Sequence, residues 1–577
     1  MYESGGRDIT SIAPRQVESE ERGLSISVEA IAWLGLILAA GLLRLTDLNG
    51  LPLTVHESAR AFDAARVAGG EVPDTWRGDL AEAATSYLFR IFGESDLLAR
   101  LVPAVAGLAL VAVLWFARPY VGRVGALVTS ALVAFSPLFV IHSRSAAEFS
   151  VGSLLGAVMM VSLFAHLQRP RIGLVFVLIV ALAMAPLADA PAVLAAAGVI
   201  AFVAMESVIF GNNDVRRALR SFRSSPLQWV SALFVVSAAF QLGIAHFGTS
   251  VEKIDLPGLT LFGDMFKSPG DSRPRGYYLA MLLAYDWPLL LAGGAGFAFV
   301  ALRFARGARA AVTPFDRLLL LWTVAAAFTL TLATRREAGQ LLMLLLPLAL
   351  LAGRLSEEVA ARSSWETASR WWPAVAAALA LAAAAAVLMT EWSSGRADEA
   401  ERLLLLGTTA GFACLVGVMF VSARAGGKPA GAGVVAVLAA AFLVHSSLAV
   451  AFSDGTEFAV DMRTLGRTEQ LRDTLDRLAD ERDGAIVVDG DLIDELGWTL
   501  RDSPVTFGGP LEGAAVVVSR PEASPAGFAG REEVWRVAEG WYPDELLAPR
   551  RMWRWLLYRR PYGGVETVEV RIYLRTI

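Results

Sequence analysis

Cysteine is all but absent from this 577-residue chain; Cys414 stands alone, so no disulfide can close within it. Charge is sparse too. Asp, Glu, Lys and Arg make up 19% of residues, the net charge is -5, and no basic tract offers a surface for nucleic acid. There is no Gly-rich loop ending in Lys and Ser or Thr, which disfavours an ATP-driven transporter. The five histidines, at 56, 142, 166, 246 and 445, lack the spacing of a metal site, and no cofactor is required. A hydrophobic h-region with a cleavage site is also missing near the start. Residues 1–24 therefore read as a polar cytoplasmic tail, and the first apolar run as the insertion signal.

What the chain has in abundance is apolar residues, at 55%, with a mean hydropathy of +0.51. They gather in runs of about 20, the length that crosses roughly 30 Å of hydrocarbon. Thirteen candidate spans follow: 26–46, 97–117, 122–142, 149–167, 172–188, 191–210, 228–247, 277–302, 316–334, 338–353, 371–390, 402–423 and 432–452. Alternate loops are rich in arginine, among them Arg118 and Arg123, Arg169 and Arg171, and Arg216 to Arg223. The positive-inside rule makes these cytoplasmic. It puts the first loop, 47–96, and everything after residue 452 on the outer side of the plasma membrane. Residues 25–452 thus form a transmembrane domain.

The pattern changes after residue 453. "RTEQLRDTLDRLADERDG" reads as an amphipathic helix with Leu471, Leu475 and Leu478 on one face. "AIVVDG", "AAVVVS" and "ETVEVRIYL" read as strands, so 453–577 is expected to be a small extracytoplasmic α/β domain. Trp535, Trp541, Trp553 and Trp555 belong to its core or to the membrane interface.

The first loop carries two short helices, 55–68 and 79–92, divided by the turn-rich "GGEVPDTW". Both are too short and too charged to span, and such a loop can roof a cavity. Thr54 and Glu57 form a capping box, with Thr54 accepting from the Glu57 amide and Glu57 reaching back. Charged residues recur at the outer ends of several spans: Arg144 and Glu148, Asp189, and Arg335, Arg336 and Glu337. Asp286 falls inside the eighth span, where a charge faces a cavity or a partner, or else marks a misplaced boundary.

Several stretches, taken in order, resemble the GT-C superfamily of membrane glycosyltransferases. The likeness is to the family 39-like branch, which holds protein O-mannosyltransferases and the aminoarabinose transferase of lipid A. Closer still is the flippase-activity-associated group. "VHESARAFDAARVAGG" is similar to the first-loop motif. "FGESDLLARLVPAVAGLALVAVLWFARPYVGRVGALVTSALVAFSPLFVIHSRSA" is similar to the second and third spans. "REAGQLLMLLLPLALLAG" and "GWYPDELLAPRRMWRWLLYR" resemble the later span pair and the terminal domain.

The resemblance implies a GT-C-like arrangement of about 13 transmembrane helices. It also implies transfer, with inversion, of a sugar from a polyprenyl-phosphate donor to a lipid, glycan or protein acceptor on the outer face. An acid of the first loop would be the base, because a hydroxyl is a poor nucleophile until its proton is taken. The family's Asp-Glu pair is here His56-Glu57, so either could act; imidazoles as a class titrate near neutrality. Arg144, Arg335 and Arg336 are the cations available to a leaving phosphate, with Glu148 and Asp189 beside the substrate. His56, Glu57 and Glu148 are a candidate divalent-ion set. Two other readings stand beside the enzyme. One is a non-catalytic subunit of the same fold that binds membrane lipids or joins a membrane complex. The other is a flippase or transporter, which the lack of an internal span repeat disfavours.

Overall fold

The computed structural model describes residues 27–146, 149–223, 226–242, 256–267, 273–306, 312–362, 427–452, 457–460, 462–482, 484–543, 552, 555–556 and 561–576. The expected spans 371–390 and 402–423, Cys414, Glu148, Trp553 and the first 24 residues lie outside these.

Among the described residues, the membrane part is built of helices. Helix α1 (Val28–Leu45) leads into the first loop, with α2 (Val55–Ala68) and α3 (Leu80–Phe92). Then come α4 (Asp96–Val113), α5 (Arg118–Val121), α6 (Arg123–Phe135), α7 (Pro137–Arg144), α8 (Phe149–Gln168), α9 (Ile172–Met184) and α10 (Ala190–Val208). They are followed by α11 (Asn213–Arg223), α12 (Pro226–Leu242), α13 (Pro257–Asp264), α14 (Tyr277–Tyr285), α15 (Trp287–Ala305), α16 (Pro314–Leu332), α17 (Leu342–Arg362) and α18 (Gly427–Phe452). Seven of the described segments are long and apolar enough to cross a membrane, and the bent pair α6–α7 makes an eighth. Rows of exposed leucines such as Leu34, Leu38 and Leu42 cover the lipid-facing side of α1. The chain is thus a multi-pass membrane protein. Small residues let its central helices meet closely: a Cβ on Gly125 of α6 would stand 2.6 Å from the Gly353 carbonyl of α17.

Two apolar segments break, and the breaks meet. Helices α6 and α7 bend by 57° at Ser136-Pro137. The expected span 277–302 is not one helix; it divides at Asp286 into α14 and α15. Broken backbone in hydrocarbon must find partners. Asp286 supplies them, accepting from Ser136 Oγ at 2.9 Å and from the Leu138 amide at 3.3 Å. Arg44, fully buried on α1, serves the other side of the bend. It donates to the Val133 and Ala134 carbonyls at 3.0 Å each, a cation at a helix C-terminus. The charge inside the eighth span is accounted for by this junction.

The C-terminal region is α/β. Strands β1 (Arg463–Thr464), β2 (Ala485–Val488), β3 (Val505–Phe507), β4 (Ala514–Ser519), β5 (Phe528–Trp541) and β6 (Val565–Arg575) form one mixed sheet in the order β1-β5-β6-β4-β2-β3. Helix α19 (Arg467–Glu481) buries Leu471, Leu475 and Leu478, the face read from the sequence. Helix α20 (Ile493–Leu496) is a single turn. Trp541 and Trp555 are buried in an aromatic cluster with Phe458 and Tyr285, so they are core residues and not interface anchors.

This region sits on the first loop. Thr54 pairs with Arg463 in an antiparallel bridge. The Val55 amide donates to the Met462 carbonyl at 2.7 Å, and the Thr464 amide to the Leu53 carbonyl at 3.0 Å. Trp498 stacks on Phe89 of α3 and donates to Asp96 at 2.8 Å. The two loop helices fall where the sequence puts them. Helix α3 buries Ala81, Ala83 and Phe89 together with Glu82, Thr85 and Ser86, and exposes only its last residues, Arg90, Ile91 and Phe92.

Candidate active site

The first loop is pinned by charge. Arg100, on α4, donates to the Leu48 and Leu51 carbonyls at 2.8 and 2.7 Å and to Pro52 at 3.0 Å. Arg144, at the end of α7, donates to Leu43 and Thr46 at 2.8 Å and to Asp47 at 3.0 Å. Two guanidiniums thus hold the carbonyls of the α1–α2 connector.

The capping box is complete. Thr54 Oγ1 accepts from the Glu57 amide at 3.1 Å, and Glu57 Oε2 accepts from the Thr54 amide at 2.8 Å. Arg100 grips the same carboxylate with Nε and Nη2, both at 2.9 Å. The Ala146 amide adds a donor at 2.7 Å. Glu57 is 1% exposed. Burial alone would raise its pKa, but Arg100 and the two amides hold it at about 2. A carboxylate so occupied has little basicity and no lone pair directed at solvent. Glu57, Arg100 and Arg144 line a pocket of about 420 Å³ that reaches Val460 and Arg463.

His56, one residue earlier, points the other way. It is exposed, and it lines a separate cleft of about 380 Å³ with Arg77, Asp264, Arg335, Glu337 and Gln340. Arg335 Nε lies 2.9 Å from Glu337 Oε1, and Lys267 Nζ 2.6 Å from Asp264 Oδ1. The Arg335 amide donates to the Met265 carbonyl at 3.1 Å, which fixes one rim to the other. Tyr278 donates to Gln340. The cleft therefore brings an imidazole together with cations and acids.

The residues singled out by the sequence are divided by the fold. His56 and Arg335 share the cleft. Glu57 and Arg144 lie behind it, in the other pocket. Arg336 turns to the Arg273 carbonyl and is not among the cleft lining. Asp189 caps α10, accepting from Ala192 at 3.0 Å and from the Gly152 amide at 2.8 Å, and its neighbour Ala190 lines the cleft. Glu148 is outside the described residues. Glu57 and His56 face opposite walls, so they do not form the divalent-ion set with Glu148. Among the described residues no three His, Cys, Asp or Glu side chains gather as a metal site would need. Arg100, Asp264 and Gln340 escaped the sequence reading. Arg100 and Gln340 act through partners distant in sequence, Glu57 and Tyr278, which no local pattern signals; Asp264 pairs with nearby Lys267, and only the fold brings it to the cleft.

Residues 80–240 match the family model described as dolichyl-phosphate-mannose-protein mannosyltransferase. No curated protein matches the chain. Among solved structures, it is similar to ArnT from Cupriavidus metallidurans bound to undecaprenyl phosphate. The identity is 16% and the TM-score 0.55, over 88% of this chain and 98% of that one. The apo state of the same enzyme gives 15% and 0.54, over 88% and 97%. A weaker likeness, 11% and 0.49 over 85% and 69%, is to an Archaeoglobus fulgidus oligosaccharyltransferase tethered to an acceptor peptide. The fold is similar to that of ArnT over most of both chains.

Proposed function

We propose that this protein is a membrane glycosyltransferase. It moves a sugar from a polyprenyl-phosphate donor to a hydroxyl of a lipid, glycan or protein acceptor at the outer face, with inversion. The orientation follows the arginine-rich loops: N-terminus cytoplasmic, first loop and C-terminal region outside. The observation that carries the reading is His56. It stands where the resemblance puts an acid, displayed to the cleft by a helix start that Glu57 and Arg100 hold rigid. The GT-C fold and the undecaprenyl phosphate bound by ArnT support a lipid-linked donor.

In this reading His56 accepts the proton of the acceptor hydroxyl. The acceptor oxygen forms a bond to the anomeric carbon as the bond from that carbon to the phosphate oxygen breaks. The phosphate leaves on its polyprenyl chain, and Arg335 and Arg77 face its charge. Single displacement from the opposite face inverts the centre. Glu57 acts as the anchor of the base rather than as the base.

The test is transfer by membranes bearing the protein, supplied with a panel of radiolabelled polyprenyl-phosphate hexoses and pentoses. His56→Ala is expected to cut transfer by about 100-fold or more, and His56→Asp to restore part of it. Undiminished transfer by His56→Ala removes His56 as base. A second reading, the non-catalytic subunit, is favoured by the same histidine in an acid's place. It gains if the unaltered protein transfers from no donor, binds none, and purifies with a stoichiometric partner.

A further inference from the structure

At the end of the molecule away from the cleft lies a groove of about 1310 Å³. Helix α8 connects the two regions. It starts at Phe149, which lines the cleft, and its 20 residues reach about 30 Å to Gln168 at the groove. The groove walls are apolar: Val113 and Phe116 near the end of α4, Val158 and Val161 on α8, and Leu174 and Val177 on α9. Phe116 and Val177 are exposed at 62% and 41%, on helices that face the bilayer.

The mouth is cationic. Arg169 and Arg171 both line it and come from the single α8–α9 turn, held apart by Pro170. Most arginines at this face already have an acid or a carbonyl. Arg118 pairs with Glu29, Arg303 with Glu358, Arg317 with Glu206 and Arg354 with Asp316. Arg216 donates to the Ser207 carbonyl. Among the described residues, Arg169 and Arg171 have no carboxylate within ion-pair distance. The amino end of α9 lies in the same turn and has no side-chain cap, and nothing within 4 Å crowds Gly173.

An apolar slot ending in two unneutralised guanidiniums matches one kind of molecule, a phosphate head on hydrocarbon tails. We infer that this groove is a binding site for an anionic glycerophospholipid of the leaflet opposite the cleft. The phosphate sits between Arg169 and Arg171, and an acyl chain lies along Val158, Val161 and Leu174. The inference does not depend on the transfer reaction. The lipid would brace the α8–α9 turn, whose α8 carries Phe149 at the cleft.

The experiment is native mass spectrometry of the full-length protein released from nanodiscs of equal phosphatidylglycerol and phosphatidylcholine. One phosphatidylglycerol per chain is expected to be retained in preference. Arg169→Gln with Arg171→Gln is expected to reduce that preference by about thirtyfold, the worth of two interfacial cations at about 1 kcal/mol each. Its thermal unfolding should match the unaltered protein, because both side chains are exposed. Val158→Trp fills the slot, keeps the charges, and should lower retention as well. Equal retention of both lipids, or an unchanged preference in the arginine double variant, overturns the site. So does an equal loss in Arg306→Gln, which tests the general charge of this face. Displacement of phosphatidylglycerol by equimolar undecaprenyl phosphate overturns the assignment by making the carrier lipid the occupant.

Discussion

At the scale of single residues, the decisive fact is that neighbours 56 and 57 have opposite surroundings. Glu57 is buried under four donors, two backbone amides and two nitrogens of Arg100, and His56 is exposed on the cleft. Their variants should therefore fail differently. Arg100→Ala leaves the Glu57 charge buried without its main partner, which costs about 3–5 kcal/mol. Thermal unfolding in detergent should show a clear loss for it and almost none for His56→Ala. Glu57 also has a pH signature. Its pKa is held at about 2 against an ordinary 4.5, so its contribution is present above pH 4.5 and is lost as pH falls towards 2. Glu82 has the reverse sign. Burial raises its pKa to about 8, against the pull of the Arg60 charge. Its contribution is present below pH 4.5 and is lost as pH rises through 8. Glu82→Gln should therefore raise the Tm relative to the unaltered protein at pH 8.5 and leave it unchanged at pH 4.5. The capping box was legible in "TVHE" because both of its members lie within one helical turn. The Arg100 pairing was not, since its partners are 43 residues apart and a salt bridge leaves no periodic mark.

The elements tell the same story on a larger scale. Spans were legible as apolar runs, because hydrocarbon thickness fixes their length. Breaks within them were not. Asp286 in a span read as a cavity residue, a structural contact or a boundary error, and it proves to cap the kink at Ser136-Pro137. Asp286→Ala should free the Leu138 amide and the Ser136 hydroxyl in a dry interior, at a cost of about 1–3 kcal/mol. Faster hydrogen exchange across α7 would register it, while unchanged protection would refute the capping role. The close approach of α6 and α17 gives a sharper test. A leucine at Gly353 would collide with the Gly125 carbonyl and Thr129 Oγ1, which lie 2.4 and 2.2 Å from the position of its Cβ. Gly353→Leu should lower the Tm strongly, with overpacking worth about 1–3 kcal/mol or more.

At the scale of the whole molecule, the C-terminal region and the first loop form one roof. β1 pairs with the residue that caps α2, and Trp498 seals α3. Trp498→Ala should cost about 3–5 kcal/mol as a cavity, and it should speed hydrogen exchange in α2 and α3 before the membrane helices respond. Exchange confined to the C-terminal sheet would mean that the two parts are independent. By itself, the sequence determined the membrane class, most of the spans, the helix starts in the first loop and the change to α/β after residue 453. These properties follow from local composition and period, so they are written in consecutive residues. Only the tertiary structure decided which of two adjacent residues faces the cleft, that Arg144 and Arg336 hold backbone carbonyls, and that Arg335, Asp264 and Gln340 meet around His56. Such choices rest on burial and on charge pairing between segments far apart in the chain, and those are settled only when the helices pack.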